Sequence, residues 1–146
     1  MIKKAGWFVF FALLTGACLD EPECFSLNNN IIGITFKNIK DGSADTTTIK
    51  SINAEGTNVF FVASANKVYL PLNYFQDHTT FFFKRQDVSD TIELHYDAKV
   101  QFVSPDCGER FVLTGLAVAR HTFDSVRLVS AIPSNAAGGS QIEIFK

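Results

Sequence analysis

The strongest constraint on the fold is a strict alternation of apolar and polar side chains over residues 92–102. The even positions, starting with Ile92, are all apolar, and the odd positions between them are all polar or charged. Successive side chains of a β-strand point to opposite faces, so this period of two predicts a strand with one buried and one solvated face. Eleven residues is long for a strand, and a bulge or bend is expected near Asp97.

Shorter segments on both sides of this strand have the same character and are separated by turn-forming residues. The segment 111–120 is apolar on both faces, which predicts a central position in a sheet. An antiparallel, immunoglobulin-like β-sandwich is the fold expected from such a series, and a small eight-stranded β-barrel is the alternative. The other predicted strands are residues 32–36, 46–52, 59–62, 67–70, 79–84, 126–132 and 142–145.

The amino terminus has the layout of a bacterial lipoprotein signal peptide. Lys3 and Lys4 precede an apolar run over residues 5–14, and small residues then lead to Cys18. The run suits a signal-peptide core and is too short to span a bilayer. We expect cleavage before Cys18 and attachment of palmitate and further acyl chains to it, since more than one chain makes a stable anchor.

Two other interpretations of this segment stay open. Leu14 lies four residues before Cys18, and Thr15 occupies the position where lipoprotein signals usually have leucine. The first alternative is an ordinary secretory signal cut near Ala17, with Cys18 a plain thiol, and the second is an uncleaved anchor. Lipidation is preferred because an unpaired thiol at an exported amino terminus would be reactive.

Three regions are therefore predicted: a signal peptide (residues 1–17), a lipidated acidic tether (residues 18–30) and a single β domain (residues 31–146). The expected location is the outer membrane, facing the periplasm or the cell surface. Loss of the signal peptide leaves 11 basic against 15 acidic residues, so the formal charge changes from −2 to −4. Nucleic acid is not an expected partner, because no basic patch remains to neutralise phosphates.

Acylation of Cys18 leaves Cys24 and Cys107 as an even pair. Exported proteins fold in an oxidising compartment, where such a pair forms a disulfide. The bridge would close a loop of 83 positions, for which the chain-entropy model gives at most about 4–5 kcal/mol. A metal pair or a reactive thiol is the alternative, but no Cys-x-x-Cys spacing and no adjacent His supports either one.

Runs of phenylalanine mark a possible binding surface. Consecutive side chains on a strand face both ways, so at least one ring among Phe60, Phe81 and Phe83 is expected to be exposed. Together with the polar-face residue His95, such a ring could bind a glycan or an envelope protein. The alternative is that a loop or the tether covers the second face.

The sequence predicts no catalytic residue and no cofactor. The three histidines, His78, His95 and His121, are not spaced as metal ligands, and His95 simply lies between Glu93 and Asp97 on the polar strand face. A solvated face is the simpler interpretation. An envelope-polymer hydrolase that uses carboxylates or a metal is the alternative, and it requires distant histidines and acids to converge in the fold.

The loop from Asp41 to Asp45 offers two carboxylates that could hold a hard cation. It lacks the third ligand and the closing glutamate of a calcium-binding loop. We expect an ordinary polar turn there and no metal site.

Several segments together resemble a family of small, uncharacterised Bacteroidota lipoproteins, domain of unknown function 6452. They are the lipoprotein start, Cys24, and residues 68–73, 90–92 and 102–108. The resemblance implies a cell-envelope location and a small β domain, and its two cysteines support the pairing of Cys24 with Cys107. It brings no activity or catalytic residue. The expected function is that of a non-enzymatic binding or structural module, attached to the membrane by its lipid anchor.

Overall fold

The chain forms two β-sheets packed face to face. A computed structural model describes residues 30–55, 61–85, 87–134 and 138–146, and no helix occurs among them. The all-β class and the sandwich, rather than a closed barrel, are confirmed. The strands are β1 (Ile31–Lys37), β2 (Thr47–Ala54), β3 (Phe61–Ala65), β4 (Lys67–Pro71), β5 (His78–Lys84), β6 (Ser89–Ser104), β7 (Gly108–His121), β8 (Ser125–Leu128) and β9 (Ile142–Phe145).

The four-stranded sheet has the order β4-β1-β9-β8, and the five-stranded sheet has the order β3-β2-β5-β6-β7. Every neighbouring pair is antiparallel except β1 with β9, which run in parallel with Ile34 opposite Ile142. The first and last strands are therefore neighbours in the middle of one sheet.

The hydrophobic core fills the space between the two sheets. Phe83 on β5 links them, because its ring meets Phe36 of β1 edge-on at 6.2 Å and Phe123 at 5.5 Å between centroids. Burying a large apolar side chain of this kind contributes roughly 1.5–3 kcal/mol. The other apolar side chains with at most 1% exposure are Ile32, Ile34, Ile49, Ile52, Leu70, Phe81, Ile92, Leu94, Leu113, Ile142 and Ile144.

Strand β7 corrects one prediction, since it is an edge strand and not a central one. The central position was predicted because residues 111–120 are apolar on both faces. Leu113 and Leu116 are buried in the core, whereas the small side chain of Ala117 is exposed. A small apolar residue at the surface needs no covering layer.

The predicted bulge near Asp97 is confirmed. The register between β6 and β7 shifts between His95 and Asp97, where β7 carries one extra residue near Gly115. Gly115 has a φ of +67°, a left-handed conformation that glycine adopts without steric cost.

Other strand boundaries differ modestly from prediction. The third strand was expected at residues 59–62, of which residues 59 and 60 lie outside the described part, and β3 begins at Phe61. The eighth was expected to reach Ile132, but β8 ends at Leu128.

Beyond Tyr96 the long hairpin leaves the sandwich. Strand β5 begins at His78, opposite His95, so residues 97–114 pair only with each other; we call them the β6–β7 arm. The alternation predicted a continuous core face through Phe102, and this is wrong for the arm. Val100 is 56% exposed and Phe102 is 63% exposed, because the second sheet does not extend over them.

Tyr96 fixes the point where the arm leaves the core. Its buried hydroxyl donates to the Asn73 carbonyl (2.7 Å) and lies 2.5 Å from Thr79 Oγ1, which also accepts from the Asn73 N–H (3.0 Å). Burial raises the pKa of the Tyr96 phenol. The three groups together hold the loop after β4 against the base of the arm.

We predict that Tyr96→Phe lowers the free energy of unfolding by about 1–2 kcal/mol, because it leaves two buried partners with fewer hydrogen bonds. Urea denaturation followed by far-UV circular dichroism measures this. The matched control is Tyr69→Phe, whose exposed hydroxyl donates to the Gly138 carbonyl and whose loss should cost less than about 0.5 kcal/mol. Equal losses in the two variants would contradict the role of Tyr96.

A buried carboxylate stabilises the outer side of the four-stranded sheet. Glu143 on β9 lies between its two neighbours: Lys37 Nζ is 2.8 Å from Oε1, and the Arg127 Nε donates to Oε2 at 2.8 Å. The Lys37 hydrogen bond, followed by that of Arg127, lowers the pKa of Glu143. The contribution of this group to stability is therefore present above about pH 4.3 and is lost as the pH falls through the lower folded-state pKa.

We predict that Glu143→Gln lowers the free energy of unfolding near pH 7 by about 1–3 kcal/mol, and that the difference from wild type shrinks below about pH 4. Urea denaturation at both pH values tests this, with Glu55→Gln, at an exposed position, as control. A difference that stays constant with pH would show that the charge of Glu143 is not the cause.

Candidate functional site

The outer face of the five-stranded sheet carries the candidate site, which we call the Phe82 face. Its cross-strand pairs are Phe82 with Thr91, Thr80 with Glu93, and Glu93 with Arg120. These five residues line an open depression of about 610 Å³, to which His121 and Thr122 also contribute. Three adjacent strands therefore supply one aromatic ring, two hydroxyl groups and a pair of opposite charges to one shallow surface.

The exposed phenylalanine is not one of those predicted. Phe81 and Phe83 are each 1% exposed and belong to the core, whereas Phe82 between them is 43% exposed. The expectation that consecutive rings face both ways is confirmed for this run, but the assignment of Phe81 and Phe83 to the binding surface is wrong. The register explains it, because Phe81 pairs with the buried Ile92. Phe60 lies outside the described residues.

Glu93 organises the charges on this face. Its Oε1 lies 2.8 Å from His95 Nε2, and its Oε2 accepts from Arg120 at 3.0 Å. The His95 hydrogen bond, followed by that of Arg120, lowers the pKa of Glu93. The carboxylate therefore stays ionised and fixes the Arg120 guanidinium beside the depression.

The fold brings two of the three histidines together. His78 lies opposite His95 across β5 and β6, with 5.7 Å between ring centroids. His78 Nδ1 is 2.8 Å from Asp77 Oδ1, and this hydrogen bond raises the pKa of His78 and lowers that of Asp77. His121 lies apart and donates its Nδ1–H to the Phe123 carbonyl.

This geometry suits binding better than acid–base hydrolysis. A general acid that works near neutral pH needs a raised carboxyl pKa, whereas Glu93 is doubly paired and its pKa is lowered. The buried Asp90 of the β5–β6 hairpin is paired elsewhere, since it accepts from Arg85 at 2.8 Å. Within the described ranges, no group of three or more His, Cys, Asp or Glu residues is placed to hold a metal ion.

The two weak metal candidates do not converge. Asp41 Oδ1 accepts from the backbone N–H and the hydroxyl of Ser43, at 2.9 and 2.8 Å. These hydrogen bonds lower the pKa of Asp41. Asp45 instead pairs with Lys146 at 3.0 Å. The loop is arranged as a polar turn, as expected, with each carboxylate used within the chain.

Of the three cysteines predicted to be lipidated or disulfide-bonded, the structure describes only Cys107. Cys18 and Cys24 lie outside the described residues, so lipidation and the pairing of Cys24 with Cys107 stay predictions. Cys107 lies in the turn at the tip of the β6–β7 arm, where its backbone N–H donates to Ser104 Oγ at 3.1 Å.

We predict that the pKa of His78 lies above the ordinary histidine value and falls in Asp77→Asn, because the carboxylate that stabilises the imidazolium is removed. Carbon-detected NMR titration of the histidine rings measures both values. The control variant Asp87→Asn, in the β5–β6 turn, should leave the His78 titration unchanged. A His78 titration that Asp77→Asn leaves unchanged would contradict the pairing.

The chain belongs to the Family of unknown function (DUF6452), which matches residues 46–146. That range covers every residue of the Phe82 face and the whole arm. No curated protein and no solved structure matches the chain. In the part of the chain that the structure describes, no helix has the length and apolar character needed to cross a membrane.

Proposed function

We propose that this protein is a lipid-anchored module of the cell envelope that binds a glycan on its Phe82 face and performs no catalysis. The observation that carries the proposal is the half-exposed Phe82 ring in a shallow depression flanked by fixed hydrogen-bonding groups. An aromatic ring offers a flat apolar surface to the C–H face of a sugar, and nearby polar groups bind its hydroxyls.

Three features support a glycan over a compact small molecule. The depression is open, so an extended polymer can lie across it. Arg120 is held by Glu93 before any ligand arrives, which lowers the ordering cost of binding. The side-chain Oδ1 of Asn53, opposite Phe82, is buried and has no hydrogen-bond partner within the described residues; a ligand donor that reaches past the edge of the ring could satisfy it.

The anchored location is supported by the sequence of residues 1–18, with its basic start, apolar run and small residues before Cys18. The disulfide is supported by the two cysteines that remain once Cys18 is acylated, because an exported chain folds in an oxidising compartment. Besides Cys107 the chain has two cysteines, Cys18 and Cys24, which both lie before the first described residue. If acylation occupies Cys18, the partner is Cys24.

Intact mass of the membrane-extracted protein, with and without reductant, tests location and pairing together. We expect a mass that corresponds to residues 18–146 plus acyl chains, and a gain of two hydrogens on reduction. A Cys18→Ser variant should lose the acyl mass and leave the membrane fraction. An unlipidated wild-type protein would overturn the anchoring.

Co-sedimentation with purified cell-wall glycan from the same cells tests the binding face. We predict that Phe82→Ala weakens binding about tenfold, as expected for a central aromatic contact. Phe75→Ala is the matched control, because Phe75 is an exposed ring on the other side of the sheet. Equal effects of the two substitutions, or no binding by the wild type, would reject a glycan ligand on this face.

A further inference from the structure

The β6–β7 arm presents an apolar face that continues the core face of β6. Val100 lies opposite Phe111, and Phe102 lies opposite Glu109. Val100 and Phe102 are both more than half exposed. Protruding strands usually carry charged residues on an exposed face. This pair of large apolar side chains therefore indicates that another segment or molecule covers the face.

Only the base of this face is covered within the described residues. The loop after β4 folds against it, with the Tyr74 ring 4.6 Å and the Phe75 ring 5.5 Å from Phe111 between centroids. Tyr96 holds this loop in place through Asn73. Toward the tip of the arm, no described segment lies over Phe102.

Asn30, at one end of residues 24–30, is fixed beside this face, and the proposed disulfide would fix the other end. The backbone of Asn30 accepts a hydrogen bond from the Leu72 N–H (2.7 Å), two residues before Tyr74 at the base of the arm. At the other end, Cys107 lies at the arm tip, and Cys24 is its disulfide partner in the proposed function. The chain between them therefore has to run from the tip of the arm to its base.

The length of this segment fits the path. Six residue steps from Cys24 to Asn30 reach about 20 Å when extended. From Cys107 at the tip of the arm to Phe111, which contacts Tyr74, the chain makes four residue steps, which is about 14 Å of strand. The segment can follow the arm in a nearly extended form with a little length to spare.

The sequence of the segment fits the surface. Phe25 and Leu27 alternate with Ser26 and Asn28, so in an extended chain both apolar side chains point to the same side. Two apolar residues on the segment therefore match two exposed apolar residues, Val100 and Phe102, on the arm.

We infer that residues 24–29 lie along the arm and that Phe25 and Leu27 cover Val100 and Phe102. This inference rests on the Cys24–Cys107 pairing of the proposed function. It makes the arm the attachment point of the tether: the lipidated end leaves the domain at the arm tip, and the Phe82 face, on the opposite side of the sheet, stays open.

A single-tryptophan probe tests the inference. The only tryptophan in the chain is Trp7, so Phe25→Trp in a Trp7→Phe background gives one reporter at position 25, whatever the processing. We expect blue-shifted emission and shielding from iodide in the exported, oxidised protein. Adding Val100→Ser and Phe102→Ser should raise the iodide quenching constant about threefold, because the covering surface is lost. Adding Phe82→Ser, which removes an exposed ring on the other face, should leave it unchanged.

The outcomes separate the possible occupants and the two proposals. Solvent-exposed emission with an intact disulfide by mass would overturn the docking while leaving the pairing in place, and a mass without the disulfide would overturn the pairing itself. Emission that shifts with protein concentration would indicate a second copy on the arm. Emission that shifts only when vesicles of phosphatidylethanolamine and phosphatidylglycerol are added would indicate a membrane contact. Either of these would also overturn the inference.

Discussion

The two halves of β6 meet at Tyr96, and the hydrogen bonds of its hydroxyl group fix the point where the strand leaves the sandwich. On one side of it the strand belongs to the sandwich and buries Ile92 and Leu94; on the other side the strand becomes an arm with exposed apolar residues. The bonds from Tyr96 to Asn73 and Thr79 hold the loop that covers Phe111. A buried polar group that is fully hydrogen-bonded specifies one arrangement, because every alternative leaves a partner unsatisfied.

The two candidate surfaces follow from different properties of neighbouring strands. The Phe82 face is polar and preorganised, since Glu93 is bound by His95 and Arg120 before a ligand is present. The arm face that carries Val100 and Phe102 is apolar and exposed, and we infer that the tether covers it. One domain could therefore use one side for a ligand and the other for its attachment, with the five-stranded sheet between them.

Much of the fold was predictable because side-chain alternation is local. The strands around Ile34 and Ile92 lie where their period of two placed them. Exposure was harder to predict, because it depends on which strand lies next to which. Phe82 and Phe81 are indistinguishable in sequence, and only the pairing of Phe81 with Ile92 decides that Phe81 is inside. The depression was missed for the same reason: Arg120 meets Glu93 only across a register that two bulges have shifted.

The parallel pairing of β1 with β9 has a mechanical consequence. The hydrogen bonds of β1 to β4 and β9 lie across the strand axis, so a pull on the amino end along that axis loads them all in shear instead of opening them one by one. Gly33 strengthens this contact, because its missing side chain lets Gly139 and Gln141 approach, and Gln141 Oε1 accepts from its N–H at 2.6 Å. A pull that reaches the first strand, as it would once the proposed Cys24–Cys107 bridge were reduced, would be resisted until the whole strand slid at once.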